Sequence, residues 1–118
     1  MKYLFFLYTD EIAGATISPE EMKSFMSEMY AYLDVLNQAG VSFITEGLHP
    51  TSVATTVKTQ NGKKVITHGP FAETKEQIGG FFLIEVPNLD EAIEWAARCP
   101  ASRWGTIEIR PVANGQTG

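Results

Sequence analysis

The chain predicts an α+β domain in which two helices cover one face of an antiparallel sheet, and three observations carry that expectation. Apolar, strand-like runs recur along the chain at Lys2–Thr9, Val41–Glu46, Gly79–Val86 and Thr106–Arg110. Two stretches between them carry apolar residues at helical spacing, each opened by a capping sequence. An Asn-Gly pair between two β-rich runs marks a hairpin. The order is β, α, β, hairpin, β, α, β. With the hairpin set aside, this is the split βαβ repeat of a ferredoxin-like fold.

Lys2–Thr9 is apolar at both parities, with Tyr3, Phe5 and Leu7 on one side and Leu4, Phe6 and Tyr8 on the other. A strand of that kind needs cover on both faces. Asp10 to Thr16 shows no period and reads as a loop. Ser18-Pro19-Glu20-Glu21 starts a helix: Ser caps free N–H groups, Pro suits the first position, and Glu21 completes a capping box at the positive end of the dipole. Met22, Phe25, Met26, Met29, Leu33 and Leu36 form its apolar stripe, and Gly40 ends it.

Val41–Glu46 is the second strand, stopped at Gly47. Val53–Thr59 and Lys63–Thr67 form the hairpin about Gln60-Asn61-Gly62. Gly79–Val86 is again apolar at both parities, apart from Glu85. Asn88-Leu89-Asp90-Glu91 repeats the capping pattern, and Leu89, Ala92, Ile93, Ala96 and Ala97 form the buried stripe of a second helix that stops before Pro100. Thr106–Arg110 alternates, with Ile107 and Ile109 inward. The domain is assigned to residues 1–112, with a disordered tail from Ala113 to Gly118.

Length and composition restrict the partners. One domain fits in 118 residues. A net charge of −5, with nine Lys and Arg residues scattered along the sequence, argues against direct nucleic-acid binding. No apolar run reaches a membrane span and the start reads as a strand, so a cytoplasmic protein without membrane contact is expected. Cys99 stands alone, which excludes an internal disulfide, and at a helix end it reads as a small buried hydrophobe. No glycine loop leads into a helix, so no nucleotide cofactor is expected. His49 and His68 lack metal-ligand spacing, and no metal is expected.

Two helices cover only one face of a four-stranded sheet, yet two strands are apolar on both. The economical cover for the second face is the same sheet from another copy. A homodimer follows, with room for a small-molecule ligand between the sheets.

The run from His68-Gly69-Pro70-Phe71 through Glu73-Thr74-Lys75-Glu76-Gln77 to Gly79-Gly80-Phe81-Phe82-Leu83-Ile84-Glu85 resembles the YCII-related family, specifically its DGPF branch. Glu46-Gly47-Leu48, Thr55-Thr56-Val57 and Glu94-Trp95-Ala96-Ala97-Arg98-Cys99-Pro100 extend the likeness over almost the whole chain. The resemblance implies a ferredoxin-like, dimeric α+β barrel and much less about activity: enzymatic roles are proposed for the family from a cleft and from similarity to muconolactone isomerase-like folds, and some members are associated with alternative sigma factors. The sequence departs from the branch at His68, where Asp is usual, and at Met29, near where the wider family carries a helix histidine.

The candidate acid–base residues are His68, Glu73, Lys75, Glu46 and Glu85. Imidazole titrates near neutral pH and suits His68 to general base work, while its place before Gly69-Pro70 equally suits a turn-forming side chain. Glu73, Lys75 and Glu76 combine carboxylates with an ammonium, enough to move a proton or grip a polar ligand; such a cluster in a loop is ordinarily solvated. Glu46 and Glu85 sit in strands. A carboxylate facing an inter-sheet cavity would have a raised pKa if desolvated, as a general acid requires, and the alternative for Glu85 is water or pairing with Arg110. Two functions remain open: a cofactor-free enzyme on a small polar or aromatic metabolite, and a non-catalytic module binding a ligand or partner in a transcriptional circuit.

Overall fold

The computed structural model describes residues 1–113. The tail foreseen from Ala113 lies, beyond that residue, outside the described residues. Six strands and four helices run in the order β1 (Lys2–Thr9), α1 (Glu11–Gly14), α2 (Pro19–Gln38), β2 (Ser42–Gly47), β3 (Thr55–Gln60), β4 (Lys63–His68), β5 (Gln77–Glu85), α3 (Leu89–Arg98), α4 (Ala101–Trp104) and β6 (Thr106–Pro111). A single 3₁₀ turn, Thr51–Val53, precedes β3.

β2, β5, β1 and β6 form one antiparallel sheet in that order, and β3 pairs only with β4. The order is that of a ferredoxin-like fold with an inserted hairpin. Both capping readings hold: Ser18 Oγ accepts from the Glu21 N–H at 3.1 Å and Asn88 Oδ1 accepts from the Glu91 N–H at 3.0 Å. Asn61 and Gly62 both take positive φ, as a two-residue hairpin turn demands.

The core lies between the sheet and the helices. Phe5 and Phe82 face each other across β1 and β5, beside Tyr3 and Ile84, and all four are buried. Tyr32 and Leu36 of α2 and Ala92, Ala96 and Cys99 at α3 close over them. Tyr32 meets the Phe82 ring edge-on, at 5.6 Å between centroids, and its hydroxyl donates to Trp95 O at 2.6 Å. Burial pushes the Tyr32 phenol upward and raises the Cys99 thiol to about 11. Both therefore stay protonated at neutral pH, which suits Cys99 to packing and not to nucleophilic chemistry.

Several local readings need correction. Asp10 to Thr16 is not all loop, because Asp10 Oδ1 accepts from the N–H groups of Ile12 and Ala13 and so caps α1. Met22 and Met26, on the first turns of α2, remain exposed where that helix runs past the sheet. On α3 the buried stripe is narrower than read: Leu89, Ile93 and Ala97 face water, and Trp95 packs against the core instead. β5 begins earlier, at Gln77, and bulges between its pairings with Leu7 and Tyr8. α4 was unforeseen, since four residues carry too little periodicity to signal a helix.

Candidate functional site

Side chains opposite one another in an antiparallel ladder share a face, so the register lays out the surface that the helices leave open. Ile44, Leu83, Leu4 and Arg110 form one row across the four strands. Glu46, Phe81, Phe6 and Glu108 form the next. A third row, Ser42, Glu85 and Lys2, lies at the other end. The bulge at Gly79 pairs Ile78 with Tyr8 and so turns Ile78 toward this face as well.

The result is an apolar floor rimmed by carboxylates. Among the described residues nothing covers it: the molecule measures 49 × 46 × 18 Å, and 18 Å holds only a sheet and one helical layer. Arg110 lies over the Phe6 ring at 5.4 Å and pairs with Glu108 at 2.7 Å. The alternative partner foreseen for Glu85 is thus engaged elsewhere, and Glu85 is exposed.

Glu46 and Glu85 share the open face but do not meet. One strand spacing and four residues of rise separate them by roughly 14 Å, beyond the reach of a shared proton. His68 ends β4 opposite Thr55, at the root of the hairpin, and is exposed. Glu73 and Lys75 lie exposed in the following loop. That loop is stapled by Gln77, whose Nε2 donates to Ala72 O at 3.2 Å and Thr74 O at 3.1 Å, while Glu76 Oε1 accepts from Thr106 Oγ1 at 3.2 Å. Phe71, in the same loop, is 89% exposed.

Among the described residues two depressions stand out. One, of about 330 Å³, lies at the hairpin root between Leu48, His49, Pro50, Thr51, Val53, Ala54 and Ile78. The other, of about 310 Å³, lies at the far end of the sheet and includes Glu85, Glu91 and Trp95. Glu85 alone of the five candidates lines either one. No cluster of His, Cys, Asp and Glu suited to a metal occurs among the described residues, nor does any helix long and apolar enough to cross a membrane.

Sequence reading missed two features of this region. Glu11 reaches from α1 to the hairpin root, where its carboxylate accepts from Thr51 N–H at 2.9 Å and from Thr51 Oγ1 at 2.5 Å. Forty residues separate the pair, and no local pattern links them. The second is charge: the basic residues are not evenly scattered, because Lys58, Lys63 and Lys64 share the hairpin.

The family model for the YCII-related domain matches residues 1–114. An uncharacterised protein of Rhizobium meliloti (strain 1021) is 36% identical over 115 residues, covering 96% of this chain and 93% of the relative. Matched over nearly its full length by both the family model and that relative, the chain belongs to the YCII-related domain family.

Proposed function

We propose that this protein is a homodimer that binds a small, cofactor-free ligand between two facing sheets, and that it belongs to the DGPF branch, with His68 in place of the usual Asp. The observation that carries the reading is the open face, where Phe6 and Phe81 form an aromatic floor in the same row as Glu46. Exposed area supports the pairing. The chain exposes 8406 Å², against roughly 6,300 Å² for a folded monomer of its mass. An excess of about 2,000 Å² is more than twice what a standard interface takes from one partner. The ligand class that fits is a planar or aromatic molecule with a polar group, its ring on Phe6 and Phe81 and its polar group at Glu46.

The finer step is proton transfer, of the kind an isomerase or lyase performs. Glu46 is the acid–base residue best set for it, since pairing would withdraw its row from water. Glu85 serves the opposite end of the face. His68, Glu73 and Lys75 join this site only by lying at the rim of the paired sheets.

A second reading, a non-catalytic module for a partner protein in a sigma-factor circuit, is favoured by the exposed loop bearing Phe71, Glu73 and Lys75. The net charge of −5 speaks against direct nucleic-acid contact in either reading, and we assign the protein to the cytoplasm. A thermal-shift screen of small aromatic and polar metabolites tests the proposal, because a ligand at 100 times its dissociation constant stabilises by about 2.7 kcal/mol. Hits that Glu46→Gln weakens support the site; hits indifferent to Glu46 and to Phe81→Ala refute it.

A further inference from the structure

Charges on the open face are left without full partners. Among the described residues the ion pairs are Arg103 with Glu28 and Arg110 with Glu108. Lys2 lies directly across the ladder from Glu85 without pairing to it, and Glu46 has no counterion. Arg110 is bound to Glu108 through Nε, at 2.7 Å, which leaves both terminal nitrogens of its guanidinium free to donate. That guanidinium leans inward over Phe6, into the row that ends at Glu46 on the opposite edge.

Water tolerates such ions and a closed interface does not, because an ion shut away without a partner opposes association. The charges therefore select how a second sheet lies on the first. The faces meet about a two-fold axis lying between the sheets, and packed sheets keep their strands roughly aligned. The axis then runs either along the strands or across them.

An axis along the strands keeps each row on its own row and reverses the strand order, so β1 covers the partner's β5 and β6 covers the partner's β2. Lys2 then faces the partner's Glu85, Leu4 the partner's Leu83, and Phe6 the partner's Phe81. Glu108 faces the partner's Glu46 with the Arg110 guanidinium beside both, Nε holding the first carboxylate and the terminal nitrogens reaching the second. Sheets pack about 10 Å apart, a gap that a long cationic side chain and a Glu side chain span together. An axis across the strands reverses the rows instead. Lys2 and Glu85 would then lie against the partner's Tyr8 and Ile78, both ions closed off from water without a counterion.

We propose that the two copies pair about an axis along the strands, joined by reciprocal contacts of Lys2 with the partner's Glu85 and of Arg110 with the partner's Glu46. This rests on the paired-sheet reading and deepens it, because each ligand site becomes composite. The ligand ring lies between Phe6 and the partner's Phe81, and its polar group meets Glu46 together with the partner's Arg110. A group that both donates and accepts hydrogen bonds, such as a carboxamide, fits that pair of charges.

Cys99 is fully buried, so Glu46→Cys and Arg110→Cys chains each carry one accessible thiol. A bismaleimide with a spacer of about 10 Å, matched to the sheet separation, is expected to join the two variants in a subunit-exchanged mixture and to join neither variant to itself. Lys2→Glu and Glu85→Lys are each expected to raise the dimer dissociation constant about tenfold or more. Their equimolar mixture is expected to restore it, since the mixed dimer again sets unlike charges face to face. Links formed within either cysteine variant alone, or charge variants that dimerise like the wild type, overturn the proposal. A wild-type dimer mass with no mixed link removes the axis and leaves the paired sheets standing; a monomer mass removes both.

Discussion

Replacing Leu83 by Glu separates the dimer from the fold. Leu83 sits mid-row between Leu4 and Ile44 on the open face, while its neighbours Phe82 and Ile84 fill the core from the other side of β5. In a lone chain the new carboxylate meets water, and surface changes of that sort cost within about 0.5 kcal/mol. Between facing sheets the same substitution forfeits the burial of two leucines, about 1.5–3 kcal/mol each. It also leaves two carboxylates buried without partners, at a cost of several kcal/mol apiece. The leucine contribution alone, about 3–6 kcal/mol, weakens association about a hundred-fold to ten-thousand-fold, and the buried carboxylates add to it. Light scattering at micromolar concentration is expected to give twice the chain mass of 13.0 kDa for the wild type and the single-chain mass for the variant, with circular dichroism of a folded α+β protein in both. A monomeric wild type, or a variant that keeps the dimer mass, refutes the reasoning.

The Cys99 thiol binds its proton more tightly folded, with pKa about 11, than at its ordinary 9.0. Between those values the native state holds more protons than the unfolded one, so stability falls as pH rises from about 9 to 11, Cys99 contributing roughly 2–3 kcal/mol at most; urea titrations across that range should show the fall, and Cys99→Ala should remove it below about pH 10, leaving above that the part the raised Tyr32 phenol contributes. Gly105→Ala should destabilise by about 3 kcal/mol or more, because a Cβ there would lie 1.9 Å from Tyr8 O, within the β1–β6 pairing; a thermal midpoint within a degree of wild type would contradict this. Glu11→Ala should cost about 1–2 kcal/mol and free the hairpin root, read as faster amide exchange at Thr51 with the β1 amides unchanged.

What was legible follows from how local the cause is. Ser18 and Asn88 announce helix starts because a cap acts within three residues, and Asn61-Gly62 announces a turn because positive φ at both positions restricts the residues that fit. The doubly apolar strands foretold an uncovered face, since parity in a strand maps directly onto faces. The bulge at Gly79 was invisible to that rule: one extra residue reverses parity, so Ile78 joins Tyr8 on the open face where simple alternation would set it with Phe82. Ile93 misled for the opposite reason, an apolar residue at helical spacing on a turn where the sheet offers no surface to cover it.

The site was less legible because its parts come from different elements and, in the proposed assembly, from different chains. His68 marks the hairpin root, where β4 ends and the stapled loop begins. What covers that marker is not encoded by any single-chain pattern. The hairpin lysines divide between the two faces of β3–β4, Lys64 with Val57 and Ile66, Lys58 and Lys63 on the other, a division that only the strand register reveals. An uncovered apolar face and a hairpin that rests on no other element are two deficits among the described residues, and the proposed pairing of two copies would remove the first. The economy of the symmetric solution therefore makes oligomeric state the first measurement, ahead of any search for a reaction.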